Sequence, residues 1–337
     1  VNGRPAASQG RDGERSELSY AFAWRLDPSS TVGRALAAAN QRLRGCGVDT
    51  PRLDAELLLA YVLGRDRVYL YTHTDRLLSE EERTRFERLI ERRRRREPVA
   101  YLVGSRTFYG LDFAVDSRVL IPRPETELMV ETAIATVNVM SQRVAVTSSR
   151  ARGQRLSGLM AGEMAALPEM VTMADVGTGS GAIAISVAIH CPSVLVWASD
   201  VSLDTLTVTQ RNVHAHGVAN QVRLVQGFLL HPIPEPVDII TANLPYIPTS
   251  NIDRLAPEIA TYEPRQALDG GYYGVQLIGE LLNQAPHYLR PGGVVLLEIG
   301  SDQGSVVAGM ARRTFPHADV HLVRDFADLD RMVVIRT

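Results

Sequence analysis

The sequence predicts an α/β protein: a mostly parallel seven-stranded sheet preceded by an N-terminal helical bundle, the two joined by a β-hairpin. Three observations predict it. Apolar residues recur every three to four positions between residues 31 and 96. From Pro98 the period falls to two. From Val171 short β-branched runs alternate with helical stretches, the pattern of parallel strands with helices on both faces. A chain of 337 residues also exceeds the usual single core, which fits two domains.

Taken in order, residues 1–30 are rich in Gly, Ser, Arg and Asp without a period and read as a mobile tail. Ala35, Leu36, Ala39 and Leu43 mark one helix face, stopped by Gly45 and Gly47, and Asp54 to Leu63 forms a second helix before Gly64. Ser79 opens a third, with Glu82 completing a capping box ahead of Phe86, Leu89 and Ile90. The bundle, residues 31–96, ends in five arginines, Arg92 to Arg96. They read either as a solvated helix end suited to the C-terminal dipole or as a landing surface for an RNA-rich or acidic partner. Tyr101, Val103 and Phe108, then Phe113, Val115, Val119 and Ile121 with Gly110 between, place the hairpin linker at 97–124.

The region 125–337 opens with a helix from about Glu125 to Val137 and then loses its pattern, so residues 140–170 read as an insertion loop. Strands are expected at Val171–Val176, Val194–Ser199, Val222–Val225, Asp238–Ala242 and Gly293–Ile299. Val320–Val323 and Met332–Ile335 lie too close for a helical crossover and should pair antiparallel.

With 45% hydrophobic and 22% charged residues, the composition excludes wholesale disorder and fibrous repeats. The longest apolar stretch, about eight residues near 182–189, falls far short of the roughly 20 that a membrane span needs. The polar first 30 residues lack a signal-like apolar core, so a cytoplasmic location is expected. Cys46 and Cys191 stand far apart, which argues against a disulfide framework and structural zinc. Every basic residue is Arg. The net charge of −2 conceals 22 Arg against 18 acidic residues up to 126 and 14 against 20 beyond.

Four segments carry chemistry. Asp175-Val176-Gly177-Thr178-Gly179-Ser180-Gly181-Ala182 lies between a strand and a helix, where glycines permit close backbone approach and free amides face a ligand. Gly177, Gly179 and Ala182 also fit a dinucleotide fingerprint, with Asp200 at the right distance for a ribose. Asp200 alternatively caps the helix that follows. Phe228, after Gly227, covers an adenine ring or fills the core. In Asn243-Leu244-Pro245-Tyr246 the Asn oxygen and the Leu carbonyl are two acceptors that Pro stiffens, and Tyr gives a stacking wall for a planar NH₂ group; a polar turn with a buried Tyr is the plain alternative.

Together, the Gly177 loop, Asp200 and the Asn243 tetrapeptide resemble class I S-adenosylmethionine-dependent methyltransferases acting on exocyclic or amide NH₂ groups, which carry Asn-Pro-Pro-Tyr motifs on a Rossmann-like sheet. Glu97-Pro98, Tyr101, Gly104, Phe108, Gly110 and Ile121-Pro122-Arg123-Pro124-Glu125-Thr126-Glu127 narrow the resemblance to release factor glutamine methyltransferases, also called HemK or PrmC. Glu263-Pro264, Gly270-Gly271, Pro291-Gly292-Gly293, Glu298-Ile299-Gly300 and Asp330-Arg331 are similar too. The resemblance covers about residues 31–335, leaving 140–170 unmatched.

It implies methyl transfer from S-adenosyl-L-methionine to the glutamine amide of a Gly-Gly-Gln motif in a class I peptide chain release factor, yielding S-adenosyl-L-homocysteine without a metal. The cofactor would use Asp175, Gly177 to Gly181, Asp200, Phe228 and Asn243. The substrate would meet Asn243 to Tyr246, with Arg123, Glu125 and Thr126 closing the pocket. The bundle and hairpin would grip the release factor, and neither membrane nor direct nucleic-acid binding is expected. Leu244 replaces the usual first Pro, implying a looser loop, and Gly227 replaces a frequent acidic residue, implying weaker cofactor binding. A nucleic-acid adenine methyltransferase and an NAD-binding protein are the alternatives.

Overall fold

A computed structural model describes residues 24–155 and 170–337, with side chains described outside 143–169. The chain forms two compact units, divided between Leu102 and Val103.

The first unit is built from α1 (Val32–Arg44), α2 (Pro51–Leu63), α3 (Arg67–Thr72) and α4 (Glu80–Arg94). Thr31 caps α1 and Gly64 ends α2 in the left-handed conformation. Ser79 and Glu82 form the expected capping box, satisfying two otherwise orphaned amides at the start of α4. Val32, Ala35, Ala39 and Leu43 pack with Leu58, Leu59, Phe86 and Ile90 in its interior. The expected tail is shorter than 30 residues. Leu26 is buried, its amide donates to Glu87 Oε1 at 2.7 Å, and Arg25 pairs with Glu87. Residues 1–23 lie outside the described residues.

The arginine run is neither a uniform solvated end nor a basic face. Arg93 turns inward, 2.6 Å from Asp54 and almost fully buried, while Arg92 pairs with Glu97 and Arg94 with Glu91. The short apolar run at Tyr101 and Val103 is α5 (Val99–Val103) rather than a strand. Pro98 favours a helix start, and a run of this length does not decide between the two periods.

The hairpin is therefore shorter than expected: β1 (Ser105–Phe108) and β2 (Leu111–Ala114) pair antiparallel around Tyr109 and Gly110, both at positive φ as a tight right-twisted turn requires. It belongs to the second unit, its Phe108 and Phe113 packing in that unit's core. Asn212 holds its outer edge, accepting from Ala114 N at 2.8 Å and donating to Ala114 O at 3.0 Å. Val115, Val119 and Ile121 are buried in a segment that turns at Ser117 and Arg118, not in a strand.

Next comes α6 (Glu127–Arg155), which continues through the first half of the expected insertion loop. Apolar periodicity reports a buried face, whereas helix continuation needs only tolerant residues such as Ala, Arg, Gln and Met without an early Gly or Pro. The remainder of that segment lies outside the described residues.

The sheet then forms from β3 (Val171–Val176), α7 (Ala182–His190), β4 (Val194–Asp200), α8 (Leu203–Ala215), β5 (Val222–Gln226) and β6 (Val237–Ala242). Two short helices, α9 (Pro257–Tyr262) and α10 (Gln276–Tyr288), precede β7 (Leu289–Glu298), and α11 (Gly304–Thr314) precedes β8 (Asp319–Arg324) and β9 (Asp330–Arg336). The order is β5-β4-β3-β6-β7-β9-β8, parallel as far as β7, with β9 antiparallel to β7 and β8. Every residue of β3 is buried, with Met173 in one core layer and Ala174 in the other. The order reverses beside β3, which puts the ligand crevice of such sheets at the C-terminal ends of β3, β4 and β6. Among the described residues, no helix is long and apolar enough to cross a membrane.

Removing one member of a buried ion pair strands the other. Asp54→Ala should therefore destabilise the first unit by about 3 kcal/mol, and Asp54→Leu combined with Arg93→Met should recover most of that loss. Urea unfolding of the three proteins checks it.

Candidate functional site

Three glycines shape the loop after β3. Gly177, Gly179 and Gly181 all have positive φ, and a Cβ on Gly181 would strike Thr209 and Ile185 at 2.8 and 2.9 Å. The amides are largely used within the protein, unlike the free amides the sequence suggests. Gly177 N and Thr178 N both donate to Ser199 O at 2.9 Å, Gly179 N to Asp200 Oδ2 at 3.2 Å, and Gly181 N to Thr178 O at 2.9 Å. The carbonyls of Gly179 and Ser180 accept from Thr209 and Asn212 of α8. What the loop presents is a stiff, closely approachable backbone.

Asp175 lies beneath it, accepting from the Thr178 and Thr241 hydroxyls at 2.7 and 3.0 Å. Burial outweighs these bonds and pushes its carboxyl up to about 6. Asp200 ends β4. Desolvation raises its pKa against the amides of Ser202, Gly179 and Val201. It is not the helix cap: Ser202 caps α8, its hydroxyl accepting from Thr205 N at 3.2 Å.

These groups border a cavity of about 690 Å³, within the size range of small-molecule sites. Gly177 to Ser180, Asp200, Phe228, Asn243, Leu244, Pro245, Arg123 and Thr126 all line it. Phe228 is 42% exposed, so it is a wall residue and not a core one. Gly227 has a steric cause, since a Cβ there would meet the Pro232 ring at 2.8 Å and leave no room for an acidic side chain. Asp175, Gly181 and Tyr246 do not reach the lining, and neither does the exposed Glu125. Tyr246 packs against the core beyond Pro245, and burial pushes its phenol up to about 12.

Asn243 and Leu244 follow β6 directly. Leu244 is buried, its side chain lying against Gly177, where an added Cβ would approach it to 3.1 Å. The leucine therefore packs the turn against the glycine loop, which offsets the stiffness a proline would supply. Asn243 Nδ2 donates to Thr126 Oγ1 at 3.1 Å, leaving the amide oxygen as the free end. Thr126 is held in a one-turn 3₁₀ helix, Pro124–Thr126.

Two carboxylates to which the sequence reading gives no role complete the site. Glu263 binds Arg123 at 2.5 Å and accepts from Ile121 N at 3.4 Å, which pins the segment over the cavity. Glu298, at the end of β7, is 2% exposed; burial raises it to about 7. A lone acid closing an apolar strand, Val294 to Leu297, was the available signal. Among the described residues, no cluster of three or more His, Cys, Asp or Glu could hold a metal ion. Cys46 and Cys191 are free thiols.

A parallel sheet whose crevice joins a glycine loop, a strand-end carboxylate and an Asn-Leu-Pro-Tyr turn defines a methyltransferase of the Rossmann-like class, and comparison with known proteins agrees. The family model for the PrmC N-terminal domain matches residues 34–104, and that for the methyltransferase small domain matches 157–271. Release factor glutamine methyltransferases from Geobacter sulfurreducens and Moorella thermoacetica are 36% and 38% identical, covering 90% and 89% of this chain and 95% and 96% of theirs. That from Chlorobaculum tepidum is 39% identical over 84% of this chain and 90% of its own. The chain belongs to the release factor glutamine methyltransferase family.

Gly181→Ala combines an unfavourable φ with overpacking against Thr209 and Ile185, and should destabilise the second unit by about 2 kcal/mol. A lowered denaturation midpoint with an unchanged m-value is the expected result.

Proposed function

We propose that this protein methylates the side-chain amide nitrogen of the glutamine in the Gly-Gly-Gln motif of class I peptide chain release factors, in the cytoplasm, with S-adenosyl-L-methionine as donor. Family membership supports the substrate. The observation that carries the chemistry is the Asn243 amide, whose nitrogen end is engaged by Thr126 while its oxygen is left for a ligand.

The cavity fits such a cofactor better than a dinucleotide. A pyrophosphate needs unpaired loop amides and is disfavoured by a carboxylate directly beneath them. Here those of Gly177, Thr178, Gly179 and Gly181 already have acceptors, and Asp175 lies buried below. A nucleoside suits it: Asp200 can accept from ribose hydroxyls, and Phe228 offers an open aromatic face to a base. When bound, S-adenosylmethionine supplies a methyl group on a sulfonium sulfur that leaves as the neutral thioether of S-adenosylhomocysteine.

The residues of this chain act on the nucleophile. A glutamine amide nitrogen is weakly nucleophilic because its lone pair is delocalised into the carbonyl. Asn243 Oδ1 and the Leu244 carbonyl accept its two hydrogens, direct the lone pair at the methyl carbon and stabilise the positive charge that builds on nitrogen. As the N–C bond forms, one of those hydrogens becomes acidic and is lost to solvent, so no prior general base is required.

The exposed Leu53, Leu57 and Tyr61, spaced four residues apart along one face of α2, support the first unit as the grip on a protein substrate.

Asn243→Ala should lower kcat on the order of 10²-fold while changing KM for release factor far less, because the acceptor serves the transition state. Near-normal turnover would sink the amide clamp. In Asp200→Ala, calorimetry should show S-adenosylhomocysteine binding weakened by roughly 1 to 3 kcal/mol, the value of hydrogen bonds to a charged acceptor.

A further inference from the structure

The two ends of an amide are nearly alike in size, so shape alone does not decide whether Asn243 offers the cavity its oxygen or its NH₂. Its Nδ2 donates to Thr126 Oγ1, whose own hydrogen must then point elsewhere. Glu298 takes it. The Thr126 hydroxyl and the Asn243 amide both draw its carboxyl pKa down against burial, and its Oε2 is buried without a hydrogen-bond partner among the described residues. The turn before α6, the segment after β6 and the end of β7 converge there.

We propose that Glu298 is a positioning residue: its carboxylate draws the Thr126 hydroxyl hydrogen, so that the hydroxyl oxygen receives the Asn243 NH₂ and the Asn243 carbonyl is turned to the substrate amide. The proposal rests on the reading of Asn243 as an acceptor. An ionised carboxylate is acceptor-only and imposes a direction on the chain of donors; a protonated one carries a donor of its own, and the direction is lost. Burial holds Glu298 near 7; the Thr126 and Asn243 donors and Arg331 draw it down, and Glu125 pushes it up. Tyr246, also near it, stays neutral in this range, and Arg123 and Arg331 act on Tyr246 as fixed positive charges. The orientation should therefore be enforced above about pH 7 and relaxed below it.

The linkage sign is opposite for stability. The folded-state pKa is raised above the ordinary Glu value, so ionisation disfavours the folded state as pH climbs from that value past 7. An uncharged residue of the same shape should be stabilising at alkaline pH.

The test uses the full chain with purified release factor and S-adenosylmethionine. Glu298→Gln should lower kcat at least about tenfold, with KM for release factor and S-adenosylhomocysteine affinity within about twofold. It should abolish an acid limb with its midpoint near 7 in the wild-type kcat profile. The same variant should melt higher than wild type at pH 8, so its loss of rate is not a loss of fold. Thr126→Val should lose a similar rate and Thr126→Ser regain most of it, and adding Thr126→Val to Glu298→Gln should cost little more.

Wild-type kcat and acid limb in Glu298→Gln, or undiminished turnover in Thr126→Val, overturns the proposal. Should Glu298→Gln fail to fold, the Thr126 pair decides alone. Failure of the functional reading is distinct, since there the wild-type chain itself leaves the glutamine unmethylated.

Discussion

The site depends on carboxylates held out of water at one edge of an apolar sheet. Asp175, Asp200, Glu263 and Glu298 are all desolvated enough to have raised pKa values, and Asp175, Asp200 and Glu263 each accept from fixed donors of the protein. A sheet built for stability alone would place apolar residues at these ends. The carboxylates instead anchor other groups: Asp175 the glycine loop, Asp200 the Gly179 and Ser202 amides, Glu263 the Arg123 segment, and Glu298 the polarity at Asn243. Rigid polar groups that need no rearrangement during reaction are what a weak amide nucleophile requires.

Much of this was legible from sequence because it is local. Ser79 and Glu82 signal a helix start within four residues, and the Gly177 loop, Asp200 and Asn243 each follow an apolar run that marks a strand end. What escaped was set by distance along the chain. Thr126 meets Asn243 across 117 positions and Arg123 meets Glu263 across 140, and no spacing rule reaches that far. Arg93 is another case, because five identical neighbours give no indication of which one turns inward to Asp54.

The misread segments share a different cause. Tyr101 and Val103 suit either period, and Pro98 together with packing settles them as helix. Past Val137 the apolar period fades while the helix persists, because periodicity records burial and not backbone conformation. Leu244 and Gly227 look like defects beside the family pattern, yet one packs on Gly177 and the other makes way for Pro232.

The grip of Asn212 on Ala114 has a consequence of another kind. A two-stranded hairpin exposes a row of unpaired backbone groups, a ready template for association with a second chain. By supplying one acceptor and one donor to the outer side of β2, Asn212 imitates a neighbouring strand for a single residue and closes that edge, while its amide also donates to Ser180 in the glycine loop. The cover on the hairpin edge and the shape of the glycine loop thus hang on the same side chain, so damage at Asn212 would surface as an opened strand edge and a loosened loop together.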